Sequence, residues 1–263
     1  MRRWLAPLAI VLALLAAWEL AVRWEVLASA LGIEPFLIPA PSAIAEALWV
    51  DRSLLAEDGW VTLREVVLGF GLAVVAGVGF AVALHLSETL RRGLYPLIVA
   101  SQTIPILVIA PILVVWFGFG IGPKLAIIAL ICFFPITVNT LDGLRSVDVE
   151  QVKLMRTLDA SRWGILARVE APSALPGLFS GAKIAVAIAV IGAVFGEWAG
   201  SDSGLGHLIL TSSSQLLTAR TFAAMLVLSA FAIGLFALLS GLERRVGWWS
   251  GGADRAARAG RDA

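Results

Sequence analysis

Six long apolar stretches constrain this chain more than any other feature. They run over residues 5–22, 61–86, 94–117, 125–141, 178–198 and 222–242. About 20 mostly apolar residues in helical form cross the hydrocarbon core of a bilayer, and these stretches lack the period-two alternation of a membrane barrel. The sequence therefore predicts an all-α, polytopic membrane protein with about six transmembrane helices.

The composition excludes several other protein classes. Of the 263 residues, 59% are hydrophobic and only 15% are charged, whereas soluble domains carry roughly 25% charged residues. The formal net charge of +1 gives no overall basic field, so we expect no nucleic-acid partner. Cys132 is the single cysteine, and the sequence shows no catalytic or metal-binding combination of side chains. We expect membrane lipid around the chain, no metal, and no catalytic residue.

The distribution of Lys and Arg predicts which side of the membrane each loop faces, because cytoplasmic loops are enriched in these residues. With both termini in the cytoplasm, 15 of the 20 fall inside, and the five outside are Arg23, Arg52, Arg64, Lys124 and Arg220. We therefore expect both termini in the cytoplasm. The basic start also resembles a secretory signal, but the first apolar run is longer than a usual signal core, so we expect it to stay uncleaved.

The apolar stretches divide the chain into three parts. Residues 1–60 hold the first span and an external amphipathic segment, in which Ser42 is expected to cap a short helix. Residues 61–243 form a core of five spans with a long cytoplasmic loop at residues 142–176. Residues 244–263 are a basic cytoplasmic tail that we expect to be disordered.

Two of the spans carry small residues at the spacing of close helix contacts. They are Ala73, Gly77 and Ala81 in the second span, and Gly177, Gly181, Gly192, Gly196 and Gly200 at the fifth. Small residues four positions apart let helix backbones approach closely in lipid. The pattern predicts close contacts either inside the bundle or between two copies of the chain.

The long cytoplasmic loop contains two predicted short amphipathic helices. Val152, Met155 and Leu158 recur at helical spacing. The pattern breaks near Asp159, and Ser161 is placed to cap a second helix. The loop is too long to be a simple connection between neighbouring helices. Its apolar stripe either docks on another protein or packs against the ends of the chain's own bundle.

Polar residues inside the predicted spans are candidates for a path through the membrane. We select Gln102, Thr103 and Pro105 in the third span and Asn139 in the fourth, with a purely structural role as the alternative for each. The sequence shows no chain of buried carboxylates of the kind that proton-coupled carriers use. It also matches no nucleotide-binding P-loop, so any ATP that drives this protein is bound by another chain.

The cytoplasmic loop resembles that of the inner-membrane permease subunits of bacterial binding-protein-dependent ABC importers. One branch of that family commonly reads Arg-Thr-Leu-Gly-Ala-Ser-Arg-Trp, and residues 156–163 differ from it only at Asp159. The family's Glu-Ala-Ala positions are Lys153, Leu154 and Met155 here, and of the wider loop signature only Pro172 is identical. The segments 38–39, 174–178 and 204–206 also fit, so the resemblance extends from about Pro39 to Leu242.

The resemblance implies a type I ABC importer permease fold, in the bacterial inner membrane, and a subunit that is not itself an enzyme. It implies a homodimer of permease subunits, a dimer of ABC ATPase subunits that binds ATP and Mg, and an external solute-binding protein. The two loop helices would couple the permease to the ATPase, with Met155, Leu158, Trp163 and Ile165 as apolar anchors. The implied coupling residues are Lys153, Leu154, Met155, Arg156, Thr157, Leu158, Asp159, Ala160, Ser161, Arg162, Trp163 and Pro172.

The resemblance leaves the solute open. The branch imports nitrate, sulfonates, taurine or pyrimidine precursors, and residues 196–208 and 212–215 look most like those of importers of the thiamine-precursor pyrimidine. That pyrimidine is therefore the expected solute, with sulfonate, taurine and nitrate as alternatives, and a secondary carrier or membrane-embedded enzyme as the alternative of another class. Asp159 permits three interpretations: a chain break rebuilt around an Asp cap, a partner groove adapted to Asp, or impaired transport.

Overall fold

The computed structural model describes residues 2–25, 29–30, 32 and 34–246, and within them the chain is helical with no strand. The helices are α1 (Arg2–Arg23), α2 (Pro41–Val50), α3 (Arg52–Leu86), α4 (Glu88–Ser101), α5 (Ile106–Phe117), α6 (Ile121–Arg145), α7 (Val149–Thr157), α8 (Arg162–Ile165), α9 (Ala171–Gly200), α10 (Leu205–Ser214) and α11 (Thr218–Val246). A 3₁₀ turn covers Pro35–Leu37, and a π-helical turn, Leu166–Glu170, joins α8 to α9. The all-α prediction is confirmed.

Four helical segments of the described chain are long and apolar enough to cross a membrane. They are α3, α6, the continuous run Arg162–Gly200, and α11. The predicted third span is broken, because α4 and α5 meet at an angle of 101° and make a fifth span only if they are counted together. The first predicted span coincides with α1, a helix of 22 residues. The count is thus four or five, and α1 as a further span stays a prediction.

The chain forms two compact units. One contains Met1–Leu63 and Ser201–Ala230, and the other contains Arg64–Gly200 and Phe231–Ala263. The predicted division at residue 60 stays a prediction, and the predicted tail lies outside the described residues from residue 247 on.

In the first unit, side chains of α3 hold the start of α10. The Asp58 carboxylate accepts a hydrogen bond from the Gly204 backbone N–H at 2.8 Å, and the Thr62 hydroxyl accepts one from Leu205 at 2.8 Å. Backbone N–H groups at a helix start lack partners within the helix, so these two side chains serve as its cap from another helix.

The expected capping role of Ser42 is wrong. Helix α2 begins at Pro41, two residues before the start that a Ser42 cap would give, and the residue before Pro41 makes no side-chain cap. Proline suits the first helical position because its fixed φ is already helical and its missing N–H is not needed there. Ser42 instead donates its hydroxyl to Glu19 at 2.7 Å, and its backbone N–H also bonds to that carboxylate. It therefore links α2 to α1.

In the second unit, α6 is packed closely by α9 along a line of glycines. A Cβ atom on Gly177 or on Gly181 would lie 2.5 Å from a backbone carbonyl oxygen of α6, and one on Gly192 would lie 3.1 Å from Ile131. The next glycine of the line, Gly196, faces the Lys124 backbone in the same way. These four small residues of α9 therefore make contacts inside the bundle. We call their contact with α6 the glycine seam.

Candidate functional site

The polar segment between α6 and α9 is folded by local hydrogen bonds. The Asp148 carboxylate accepts from the Glu150 backbone N–H at 2.9 Å and caps α7. The Ser161 hydroxyl accepts from Gly164 at 3.1 Å and caps α8, as the sequence predicted. We call residues 148–165 the loop segment. Because both of its helices carry their own caps, the segment has a defined shape.

Asp159 forms the break between the two helices of the loop segment. Its φ of 61° is left-handed, its backbone N–H bonds to Arg156 at 3.0 Å, and the Ala160 N–H bonds to Met155 at 3.0 Å. This pair of bonds is the Schellman arrangement, in which glycine usually occupies the left-handed position. Asp tolerates that conformation better than most residues. The break predicted between the two helices is therefore present, with Asp159 itself in the left-handed position.

The loop segment presents apolar side chains to its surroundings. Val149, Leu154, Leu158 and Trp163 are each between 60% and 69% exposed. Helix α7 buries none of its residues. Of the predicted stripe, Leu158 is exposed, whereas Val152 and Met155 are half-buried, so packing against the chain's own bundle is excluded only for Leu158. An apolar patch rimmed by polar residues marks an interaction surface.

The base of the loop segment is anchored in the core. Leu144, Leu166 and Ala174 form a buried cluster against Val82 and Leu86 at the end of α3. Ile165 is only 2% exposed, so its expected role as an anchor for a partner is wrong. Helix α8 has only four residues, so the sequence pattern could not show that Ile165 faces the core while Trp163 faces away from it.

A polar contact fastens the same base to α3. The buried Glu170 accepts from the Arg162 guanidinium at 2.7 Å, and its second oxygen lies 2.9 Å from His85 Nε2. That distance is a hydrogen bond when Nε2 carries the proton. We call these three residues the loop-anchor cluster. It joins the start of α8, the π turn and the last turn of α3.

The remaining residues selected in the loop have visible local roles or exposed positions. The Thr157 hydroxyl donates to the Leu154 carbonyl at 2.7 Å, and Lys153 is exposed on α7. Pro172 is the second residue after the π turn and follows Ala171, whose N–H bonds five residues back. A proline ring clashes with the carbonyl four residues earlier in a regular helix, and the widened turn removes that clash.

The four residues selected for the path lie in two different settings. Gln102, Thr103 and Pro105 share the exposed break between α4 and α5. Thr103 donates its hydroxyl to the Ala100 carbonyl at 2.8 Å, whereas the exposed Gln102 amide has no hydrogen-bond partner among the described residues. Asn139 is half-buried in α6, donates to the Pro135 carbonyl at 2.7 Å and lies in the glycine seam. The structure thus groups three of the four and gives Asn139 a packing role.

Sequence reasoning missed a buried ionic group at the other end of the core. Lys124 of α6 donates to Glu65 Oε1 of α3 at 2.6 Å, and the Glu197 carboxyl group of α9 lies within hydrogen-bonding reach of Glu65. Their exposed fractions are 5%, 1% and 1% for Lys124, Glu65 and Glu197. We call these three residues the acid-pair cluster. Lys124 is therefore not an external loop charge, and buried carboxylates do meet inside the protein.

The acid-pair and loop-anchor clusters lie about one membrane thickness apart. Glu65 and His85 are 20 residues apart on α3, which is about 30 Å along a helix axis. That length equals the hydrocarbon thickness of a typical bilayer. A search of the described residues for three or more His, Cys, Asp or Glu side chains placed to hold a metal ion finds none.

These features define a class of protein. Apolar helices cross the bilayer, and a folded polar segment between two of them exposes an apolar surface, as in a membrane subunit that docks another protein. Residues 72–248 match the family of binding-protein-dependent transport system inner membrane components. The chain belongs to this family of ABC importer permeases.

Individual relatives agree with the family match. The formylaminopyrimidine transport permease protein of Halalkalibacterium halodurans is 39% identical over 225 residues, which cover 85% of this chain and 90% of that protein. The riboflavin transport system permease protein of Chloroflexus aurantiacus is 34% identical over 88% of this chain and 87% of its own. The taurine transport system permease protein of Escherichia coli is 30% identical over 88% and 86%.

A solved structure shows the same fold. A methionine ABC transporter in inward-facing conformations matches with a TM-score of 0.64 and 21% identity, over 74% of this chain and 97% of that one. The chain is thus a non-catalytic, multi-pass permease subunit of the inner membrane, and its family works with an ATPase and a solute-binding protein. The secondary-carrier and membrane-enzyme hypotheses are set aside.

Proposed function

We propose that two copies of this subunit form the path by which a small, uncharged heterocycle of the pyrimidine type enters the cell. An external binding protein delivers the solute, and partner ATPase subunits bind ATP and Mg. The broken α4–α5 span carries this proposal, because it leaves the polar Gln102 exposed in the middle of a predicted membrane crossing.

The break is costly unless something polar covers it. Backbone groups that leave a helix at membrane depth are tolerated only when they are buried in protein or line a water-filled cavity. Helix α5 starts at Ile106 after Pro105, which provides no side-chain cap. A second copy of the chain or the solute path itself would satisfy these groups. Broken helices also form the binding sites of other transporters.

The chemistry of the core helices supports an uncharged solute. Lys124 is paired with Glu65, and Lys183 is paired with Glu243 at 2.8 Å. An anion such as nitrate or a sulfonate would have to compete with these carboxylates for either lysine. The Gln102 amide both donates and accepts hydrogen bonds, which suits the ring edge of a pyrimidine. The relatives named for formylaminopyrimidine and riboflavin also have higher identity than the one named for taurine.

The solute is tested with the complete transporter in proteoliposomes. ATP hydrolysis and uptake are measured with formylaminopyrimidine, riboflavin, taurine, an alkanesulfonate and nitrate as separate probes. We expect stimulation by formylaminopyrimidine, and a Gln102→Ala variant should lose most of it. Thr103→Val is the matched control at the same break and should retain it, because that hydroxyl already serves Ala100. Stimulation by taurine, sulfonate or nitrate alone contradicts the proposal.

We propose that the loop segment is the coupling element and that both termini are cytoplasmic. ATP binding would close the ATPase dimer, draw the two loop segments together and open the path to the outside; hydrolysis would reset it. The exposed Leu158 and Trp163 have the size and position of anchors in an interface centre. The caps at Asp148 and Ser161 keep the segment folded under load.

Coupling is tested by alanine variants of those anchors. Leu158→Ala and Trp163→Ala should each weaken ATPase binding about 10- to 30-fold, the usual loss for a central interface residue. Ile233→Ala is the matched control, because Ile233 is similarly exposed but lies in the membrane-spanning α11. Binding of purified ATPase to the permease in nanodiscs gives the affinities. Equal losses in all three variants contradict a docking role for the loop segment.

A further inference from the structure

The acid-pair cluster contains one more acid than base. Lys124 supplies one positive charge, and Glu65 and Glu197 supply two carboxyl groups, all of them almost completely buried. If both carboxyl groups were ionised, the buried cluster would carry a net negative charge. A buried charge is strongly disfavoured unless it is paired and hydrogen-bonded.

The hydrogen bonds are also incomplete when both acids are ionised. Glu65 Oε1 accepts from Lys124, but Glu65 Oε2 is buried and has no donor among the described residues. Glu197 lies within hydrogen-bonding reach of Glu65. Two carboxylates are both acceptors, and they can bond to each other only when one of them carries a proton.

We propose that Glu65 and Glu197 share one proton, which makes the acid-pair cluster an electrically neutral proton-binding site. Glu197 carries the proton and donates it towards Glu65, and Glu65 is the carboxylate that pairs with Lys124. The charges of the three side chains then cancel. Arg64, the other charged group that acts on Glu65, is exposed on α3.

The packing around the cluster fixes its geometry. A Cβ atom on Gly196 would lie 3.2 Å from Lys124 Cα, so the glycine before Glu197 lets α9 come close to the base of the lysine. The cluster joins α3, α6 and α9 at the end of the core opposite the loop segment. Since α8, the π turn and α9 form one continuous run, Arg162–Gly200, the shared proton holds one end of a run whose other end carries the loop segment.

The test uses the purified permease in nanodiscs and compares single and double Gln variants. Gln resembles a protonated carboxyl group, so Glu197→Gln should keep the apparent Tm within about 2 °C of the wild type. The Glu65→Gln/Glu197→Gln double variant removes both carboxyl groups of the cluster and should lower the Tm by about 10 °C. If the Tm of Glu197→Gln falls as far as that of the double variant, the proposal is overturned.

Infrared spectroscopy tests the proton directly and does not depend on the size of any change in Tm. At neutral pH the wild type should show a carbonyl band of a protonated, deuterium-sensitive carboxylic acid that is missing from the spectrum of Glu197→Gln. The band should also be missing from Glu65→Gln, because Glu197 then ionises to pair with Lys124. Identical wild-type and Glu197→Gln spectra in this region mean that no proton is shared.

Discussion

The two buried ionic clusters of the core hold opposite ratios of acid to base. The acid-pair cluster has two carboxyl groups for one lysine, and all three residues are at most 5% exposed. The loop-anchor cluster has one carboxyl group, Glu170, between His85 and Arg162, and the Arg162 side chain is 40% exposed. A guanidinium that reaches solvent can leave its partner at little cost, whereas a buried lysine cannot.

This difference suggests different mechanical roles for the two ends of the core. The acid-pair cluster satisfies its groups only in one closed arrangement, so it suits a fixed end. The loop-anchor cluster can exchange a bond to Arg162 for a bond to water, so it suits an end that adjusts while the loop segment moves. The alternating access proposed above requires one end of the helices to move more than the other.

The largest effect should come from removing the cation of the acid-pair cluster. Lys124→Met leaves two buried acids, so that a second proton must be taken up, and the loss of stability should be about 3–5 kcal/mol. Chemical denaturation of the detergent-solubilised permease measures it. Lys153→Met is the control, since Lys153 is exposed on α7 and should change stability by less than about 0.5 kcal/mol. Similar losses of stability in Lys124→Met and Lys153→Met would show that burial of Lys124 makes no difference to its contribution.

A smaller effect is expected at the loop-anchor cluster. Glu170→Gln removes the charge that both bases share and should cost about 1–2 kcal/mol, whereas Arg162→Ala should cost about 0.5–1 kcal/mol because that side chain is partly solvated. The ratio of solute transported to ATP hydrolysed should fall in Glu170→Gln, since the loop segment is then held less firmly. If Arg162→Ala is as damaging as Lys124→Met, the end of the core with the loop-anchor cluster is as rigid as the end with the acid-pair cluster.

The smallest effect should come from a fully exposed group. Hydrogen bonds from Arg91 and Arg92 lower the pKa of Glu88 from 4.5 to about 2. A lowered folded-state pKa means that the ionised carboxyl contributes stability above about pH 4.5, and that this contribution is lost as the pH falls towards about 2. The difference in Tm between wild type and Glu88→Gln should therefore shrink between about pH 6 and about pH 3, and added salt should reduce it at pH 6.

Salt sensitivity separates this exposed group from the two buried clusters. The Tm difference between wild type and Lys124→Met should change little when salt is added, because buried pairs are screened much less. If salt reduces both differences alike, the acid-pair cluster is accessible to ions and its assignment as a buried site is wrong.

Asp159 tests whether the loop segment depends on its left-handed break. Asp159→Gly should leave transport unchanged or improve it, because glycine adopts positive φ without strain. Asp159→Val should reduce transport, because a β-branched residue at this φ is strongly disfavoured. Transport and ATPase activity are measured together in proteoliposomes. A loss of coupling in Asp159→Gly would instead show that the carboxylate has a partner of its own.

Local features of this protein could be predicted from its sequence, and contacts between distant residues could not. The Ser161 cap and the break at Asp159 depend on a few neighbouring residues, and both are confirmed. Glu65 and Lys124 are 59 positions apart, and each looks like an ordinary polar residue at the end of an apolar stretch. Glu65, Lys124 and Glu197 all lie near the ends of predicted spans on the same side of the membrane, and this shared position was the only signal in the sequence that they meet.

The bend between α4 and α5 was only half visible in the sequence. Proline lacks the backbone N–H and kinks a helix, so Pro105 marks a possible bend in the third span, but the angle of 101° depends on packing that no single proline specifies. Pro111 and Pro135 were equally visible, and both lie inside continuous helices. A proline in the sequence therefore indicates where the backbone loses a hydrogen bond. Whether the helix ends there depends on how that part of the helix is packed.

The glycine seam also restricts how this protein can change in length. Gly177, Gly181, Gly192 and Gly196 meet α6 on one face of α9. One inserted residue between Gly181 and Gly192 would rotate the following half of α9 by about 100°, so that bulky side chains would meet the α6 backbone. Single-residue insertions and deletions should therefore be rejected along these two helices and accepted only in the connections beyond them.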